Sequence, residues 1–214
     1  MAEQKKKLIQ HQKKKLRDLM RLKLEEQTTF LREKRSRKIR RALASNVFFK
    51  RAGAILFFAS TNREVNLWLL MKKSIRDGKS VFLPRIIKSA HRLEIVQIHS
   101  TQKDLIEGSY GIREPRAELA GDSHPKNLDL VLVPGLAFDA MGGRLGQGMG
   151  CYDRFLKKLA PQVKRYGICF DFQLCDLVPT SKMDIRMDQI VTEQKAVNTG
   201  RVNRTFRKIS ESNQ

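Results

Sequence analysis

The stretch LDLVLVPGLAFDAMGGRLGQGMGCYDRFL, residues 128–156, changes character twice. It begins with LDLVLVPG, a continuous apolar strand from Leu130 on. Successive residues of a strand point to opposite faces, so a run apolar at every position is buried on both. Such strands belong to parallel sheets covered by helices. Five glycines then fall within residues 142–150, with Arg144 among them. The segment CYDRFLKKLA (151–160) reads as a helix. A doubly buried strand, a connection and a helix in succession are the opening of a βαβ unit.

The same alternation extends in both directions. Residues 4–45 contain neither proline nor glycine, and Leu16, Met20 and Leu24 are spaced four apart. Ile39, Leu43 and Val47 repeat that spacing. Two amphipathic helices are expected, broken near QTTF, with Thr28 or Thr29 as the cap of the second. AGAILFFAS (52–60) reads as a buried strand and REVNLWLLMKKSIRDGK (63–79) as a helix ended by Gly78. SVFLPR is a short strand closed by Pro84, and RLEIVQI is a half-exposed strand. Residues 107–125, rich in glycine and proline, read as loop. RYGICF and DQIVTE supply two more strands. The fold class is α/β with a largely parallel sheet, occupying residues 1–199 and preceded by two basic N-terminal helices within 1–45. Residues 200–214 read as a flexible basic polar tail.

Composition narrows the chemistry. Hydrophobic residues form 41% of the 214, enough for a core, so general disorder is excluded. The net charge of +21 is concentrated at the N-terminus, where residues 1–50 hold 17 Lys and Arg against 5 Asp and Glu. A basic face attracts polyanions without choosing among them. Three cysteines without a CxxC spacing and four unpaired histidines argue against a disulfide framework or a zinc site and fit a reducing compartment. No apolar run reaches membrane-span length, and the basic start lacks the apolar core of a secretory signal. A cytoplasmic monomer without membrane contact is expected.

The glycine stretch leaves the carboxyl end of a strand, where open α/β sheets bind ligands. Glycines let backbone N–H groups turn inward together, and the first turn of a helix adds more. Arg144 offers a bidentate partner for phosphate oxygens. Neither GxxxxGK[ST] nor GxGxxG is present. Asp171 stands at the end of a later strand, as a ribose-binding acid would, but a dozen residues separate Val133 from Gly146, which disfavours a dinucleotide fold.

At these residues the chain resembles the 5-formyltetrahydrofolate cyclo-ligase family, whose signature is approximately PGxxFDxxGxRLGxGxGYYDxxL. VPGLAFDAMGGRLGQGMGCYDRFL (133–156) carries that likeness. KKKLR (13–17), REVNL (63–67), DGKSVFLPR (77–85), EGSYGIREP (107–115) and VPTSKMDIRMDQIVTE (178–193) match other family segments in order. The resemblance implies a single three-layer, Rossmann-like domain and a reaction that uses ATP and magnesium. In it the formyl oxygen of 5-formyltetrahydrofolate is phosphorylated, N10 attacks the activated carbon, and phosphate leaves. The products are 5,10-methenyltetrahydrofolate, ADP and phosphate.

The resemblance also implies roles. ATP is expected to contact Lys13, Lys14, Lys15, Leu16 and Arg17, and then Arg144, Leu145, Gly146, Gln147, Gly148, Met149, Gly150, Cys151 and Tyr152. Arg144 and Tyr152 are the expected catalytic pair. Ala59, Glu64 and Tyr110 would contact the folate, which can be polyglutamylated, with Glu64 opening the helix after a strand end. Asp153 and Asp184 would hold magnesium. Lys13 and Arg17 lie four apart, so one helix ridge can present both. Three positions depart from the family pattern: Met149 where lysine or glycine is frequent, Cys151 for the first tyrosine, and Asn66 for an aspartate. Two other readings compete. A relative acting as a basic nucleic-acid-binding module would explain the charge, although aromatics are few (7%) and form no stacking row, so nonspecific electrostatic binding is the form expected. A small kinase would need an acceptor and a base that the sequence does not identify.

Overall fold

The computed structural model describes residues 2–87, 92–108, 112–122, 127–181 and 183–200. Helix α1 (Ala2–Glu25) and helix α2 (Thr29–Ser45) are separated as the QTTF break predicts. Thr28 is the cap, extended in backbone, with its hydroxyl accepting from the Leu31 N–H at 3.2 Å. Met20 and Leu24 are buried and Leu16 packs beside them. The second ridge ends sooner than expected. Asn46 stops α2 and caps the short α3 (Val47–Arg51), accepting from the Phe49 N–H at 3.0 Å, so Val47 turns out to solvent while Ile39 and Leu43 remain fully buried.

An eight-stranded sheet forms the centre. Its strands are β1 (Ala54–Leu56), β2 (Ser80–Ile87), β3 (Arg92–Ile98), β6 (Gly121–Asp122), β7 (Leu130–Val133), β10 (Lys164–Ile168), β12 (Gln189–Val191) and β13 (Ala196–Asn198), in the order β13-β12-β10-β7-β1-β2-β3-β6. The run β12-β10-β7-β1-β2 is parallel, and the outer pairings are antiparallel. The sheet is therefore mostly parallel, as the LVLV run requires. All four residues of β7 are buried. Leu130 and Leu132 join the cluster under α1, α2 and helix α4 (Trp68–Arg76). Val131 and Val133 join the opposite cluster, under helix α5 (Cys151–Leu156). Three layers result, and the apolar alternation of one strand feeds two cores.

Several boundaries differ from the sequence reading. Strand β2 continues past Pro84 to Ile87. Its pairing with β1 ends at Phe82, so Pro84 has a partner strand on one side only, where a missing N–H costs no ladder bond. Part of the expected 107–125 loop is strand: β4 (Leu105–Glu107) pairs with β5 (Arg113–Pro115), and β6 joins the main sheet. Helix α5 stops at Leu156, four residues short. The connection from β7 to α5 is a hairpin, β8 (Ala137–Asp139) and β9 (Arg144–Leu145), whose first strand also pairs with β11 (Leu174–Cys175). This hairpin is the reason the glycines lie so far from the strand end.

Candidate active site

The hairpin carries Arg144 inward. Asp139 holds its turn, accepting from the N–H groups of Met141 and Gly143 at 2.9 and 2.8 Å, and from Val178 at 2.8 Å. The ring of Phe138 lies so close to Gly167 on β10 that a Cβ there would stand 2.5 Å from it. Docked in this way, Arg144 is buried. It donates to the Pro134 carbonyl (3.2 Å) and pairs with Asp153 on α5 at 2.9 Å. Its guanidinium carbon lies 5.5 Å from the centre of the Tyr152 ring. Both Arg144 Nε and the Tyr152 hydroxyl are buried without a partner among the described residues. Burial, then the charge of Glu64, raise the Tyr152 pKa far above that of a free phenol, so the hydroxyl stays protonated.

Residues 146–150 pass from this centre to the surface. Gly148 and Gly150 have φ of 114° and 65°, the left-handed region that side chains other than glycine's enter at a cost. Among the described residues, the N–H groups of Gly146, Gln147, Gly148 and Met149 meet no acceptor. Helix α5 is only six residues long, so its dipole adds less than the expected ten-residue helix would.

Helix α1 crosses this loop. Lys13 is only 6% exposed and pairs with Asp184 at 2.6 Å. Arg17 donates to the Gly146 carbonyl at 3.0 Å, and Arg21 to the Gln147 side chain at 3.2 Å. Asp184 also accepts from the Ser181 N–H at 2.6 Å. Desolvation pushes the Asp184 pKa up, but the hydrogen bonds from Lys13 and Ser181 outweigh it and hold the pKa below the usual carboxylate range. The shared ridge of Lys13 and Arg17 thus faces the domain. Lys14 and Lys15 point outward and are exposed, and Leu16 serves the core.

Glu64 does not open a helix. It lies in the connection 57–67 after β1, and α4 begins only at Trp68. Its carboxylate accepts from the Thr61 N–H at 3.0 Å. Desolvation raises its pKa above the ordinary range, with Arg32 opposing, because protein surrounds the carboxyl group although the residue as a whole is half-buried. Ala59 is half-buried within the same connection, three residues past β1. Tyr110 lies outside the described residues, as do residues 201–214 of the tail. Asn66 has a specific use. Its amide donates to Glu33 at 3.0 Å, and Glu33 is paired with the buried Arg40 at 2.6 Å. An ionised aspartate at position 66 could not donate to that carboxylate.

Sequence reasoning missed Arg32. It donates to the Thr61 carbonyl (3.4 Å), has a buried Nε without a partner among the described residues, and faces Glu64 electrostatically. Its signal was positional: residues 32, 36, 39 and 43 share the inner stripe of α2, where an arginine is out of place unless it has a task. Asp171 is structural, its carboxylate accepting from the Thr192 hydroxyl at 3.0 Å.

The site therefore gathers Arg144, Tyr152 and Asp153 from the hairpin and α5, Lys13 and Arg17 from α1, Asp184 from the late loop, and Glu64 from the β1 connection. Two carboxylates beside unpaired loop N–H groups are hard oxygen donors suited to magnesium that enters with phosphate. No group of three or more His, Cys, Asp or Glu among the described residues forms a cage of protein ligands. No helix among them is long and apolar enough to cross a membrane.

Known proteins are similar to this chain in sequence and in fold. The 5-formyltetrahydrofolate cyclo-ligase of Escherichia coli is 32% identical over 146 residues, 67% of this chain and 80% of that one. The mouse 5-formyltetrahydrofolate cyclo-ligase is 30% identical over 156 residues, 68% and 75% of the two chains. The NMR structure of Aquifex aeolicus 5,10-methenyltetrahydrofolate synthetase superposes with a TM-score of 0.76 at 29% identity, covering 89% of this chain and 94% of that one. The sequence profile of the 5-formyltetrahydrofolate cyclo-ligase family matches residues 9–193, a span that contains every site residue named above, and the chain belongs to that family.

Proposed function

We propose that the chain converts 5-formyltetrahydrofolate and ATP to 5,10-methenyltetrahydrofolate, ADP and phosphate, with magnesium. The observation that carries this reading is the convergence of Lys13, Arg17 and Arg144 on a loop whose N–H groups are unpaired, next to two carboxylates. The loop N–H groups cradle the phosphates, while Lys13, Arg17 and Arg144 offset the charge that develops on the transferred group. The Tyr152 hydroxyl, kept neutral by burial, donates a hydrogen bond toward the same centre. Glu64 and Ala59 in the connection after β1, and Tyr110, hold the folate so that its formyl oxygen faces the γ-phosphate. Phosphorylation of that oxygen makes it a leaving group. N10 then attacks the formyl carbon and loses its proton, and phosphate departs. Asp153 and Asp184 would hold magnesium, which when bound neutralises phosphate charge and orients the γ-phosphate.

Lys13 and Arg144 are each paired with one of these carboxylates, so in the bound state the two cations would turn to phosphate and the two carboxylates to metal. Three free thiols support a reducing, cytoplasmic location. The test is the rise in methenyl absorbance on mixing the purified protein with 5-formyltetrahydrofolate, ATP and magnesium. Folded protein that gives no rise, or gives it without ATP, refutes the assignment.

A further inference from the structure

Arg154 is outside every role assigned above, yet it touches both loop positions at which the chain leaves its family's pattern. Its guanidinium NH2 donates to the Met149 carbonyl at 2.9 Å and lies 3.6 Å from the Cys151 sulfur. Its NH1 comes within 3.0 Å of where a Cβ on Gly150 would stand. Met149 itself is 51% exposed and brings no charge to the loop. Cys151 is buried and small, which leaves the neighbouring space to the arginine.

We propose that Arg154 is a positioning residue for the nucleotide, acting through the loop backbone; the proposal rests on the ATP-dependent reading above. A peptide unit is rigid, so fixing the Met149 carbonyl also fixes the direction of the Gly150 N–H. Arg17 does the same one turn of the loop earlier, at the Gly146 carbonyl. The loop is thus held by its carbonyls at both ends, from α1 on one side and from α5 on the other. Its N–H groups at 146–149, which meet no acceptor among the described residues, remain available to phosphate, and the ordering entropy is spent before the phosphates arrive. Gly148 and Gly150, both with positive φ, supply the left-handed backbone on either side of the Met149 anchor.

Arg154 is exposed, so the effect is modest. Loss of one screened, charge-assisted bond corresponds to about three- to fivefold in affinity. The test compares the full-length protein with Arg154→Ala, Arg154→Lys and Met149→Lys/Arg154→Ala. The first reading is the Kd of a non-hydrolysable ATP analogue with magnesium, by calorimetry. Steady-state kcat, KM for each substrate, and amide hydrogen exchange across 146–150 without ligand complete the set. Arg154→Ala is expected to raise Kd and KM for ATP about three- to fivefold, with kcat and KM for folate nearly unchanged, and to speed exchange of the loop amides. Arg154→Lys, which still donates to the carbonyl, is expected to recover most of the loss. Recovery by the Met149→Lys double variant, with loop exchange still fast, would show that charge alone matters and overturn the positioning role. Unchanged ATP affinity in Arg154→Ala, or equal loss toward both substrates, would overturn it as well. If the unmodified protein binds no ATP analogue, the cyclo-ligase reading falls together with this one. If it binds and Arg154→Ala binds equally, only this one falls.

Discussion

Asp184→Asn puts the most weight on the geometry. The Lys13 and Asp184 side chains are 8% and 18% exposed and meet at 2.6 Å, with Arg17 close enough to interact with the same carboxylate. Removing the negative charge leaves the Lys13 ammonium buried and uncompensated. Breaking a fully buried pair costs about 3–5 kcal/mol. Partial exposure, and the one oxygen that asparagine still offers to Lys13, reduce this to about 2 kcal/mol. For a chain of this size that is a fall in Tm of roughly 4–8 °C. The pH dependence follows from the lowered pKa of Asp184. A depressed carboxylate contributes stability above its unfolded pKa and loses it as pH falls through the folded value. The gap between parent and variant should therefore be full at pH 7 and close as the acid range is entered. Differential scanning calorimetry between pH 7 and pH 3 measures it. Magnesium titration in the presence of ATP should show weaker metal dependence for the variant. Equal Tm values at pH 7, or a gap that widens toward acid, would refute the reasoning.

Tyr152→Phe removes a buried hydroxyl that has no partner among the described residues, so it should leave the protein as stable or about 1 kcal/mol more so, while kcat falls sharply; chemical denaturation and turnover check the two halves. Glu64→Gln should stabilise the protein at neutral pH but not near the ordinary glutamate range. The raised pKa of Glu64 means that stability is lost as pH rises through the folded value, and glutamine removes that loss. Its KM for folate should rise, and a denaturation series from pH 4 to pH 8 tests the sign. Gly167→Ala places a Cβ 2.5 Å from the Phe138 ring and 2.8 Å from Ile190. Overpacking of this kind costs about 1–3 kcal/mol. Adding Phe138→Leu should restore part of the loss in a melting experiment, and no recovery would mean that the ring is not the obstacle.

Legibility differed from element to element. The LVLV run, the 16-20-24 ridge and the Thr28 cap each followed from a period or a local hydrogen bond, and local rules suffice for those. Val47 and Glu64 were misplaced because spacing alone does not reveal where a helix is interrupted. Asn46 ends one helix early, and the chain after β1 takes eleven residues to reach the next. The extension of β2 past Pro84 depended on which strand lay on its other side. Arg32 was overlooked because its partners arrive from another segment.

By itself the sequence determined the α/β class, the central buried strand, the basic helical N-terminus and the family signature at 133–156. All of these are carried by residues close together in the chain. Only the tertiary structure decided that the long approach to the glycines is a hairpin, pinned by Phe138 against Gly167, and that this hairpin turns Arg144 onto Tyr152 and Asp153. It alone paired Lys13 with Asp184, 171 residues away. The physical reason is range. Periodicity and capping act over a few residues, whereas an ion pair or a ring packed on a glycine depends on which segments the whole sheet brings together.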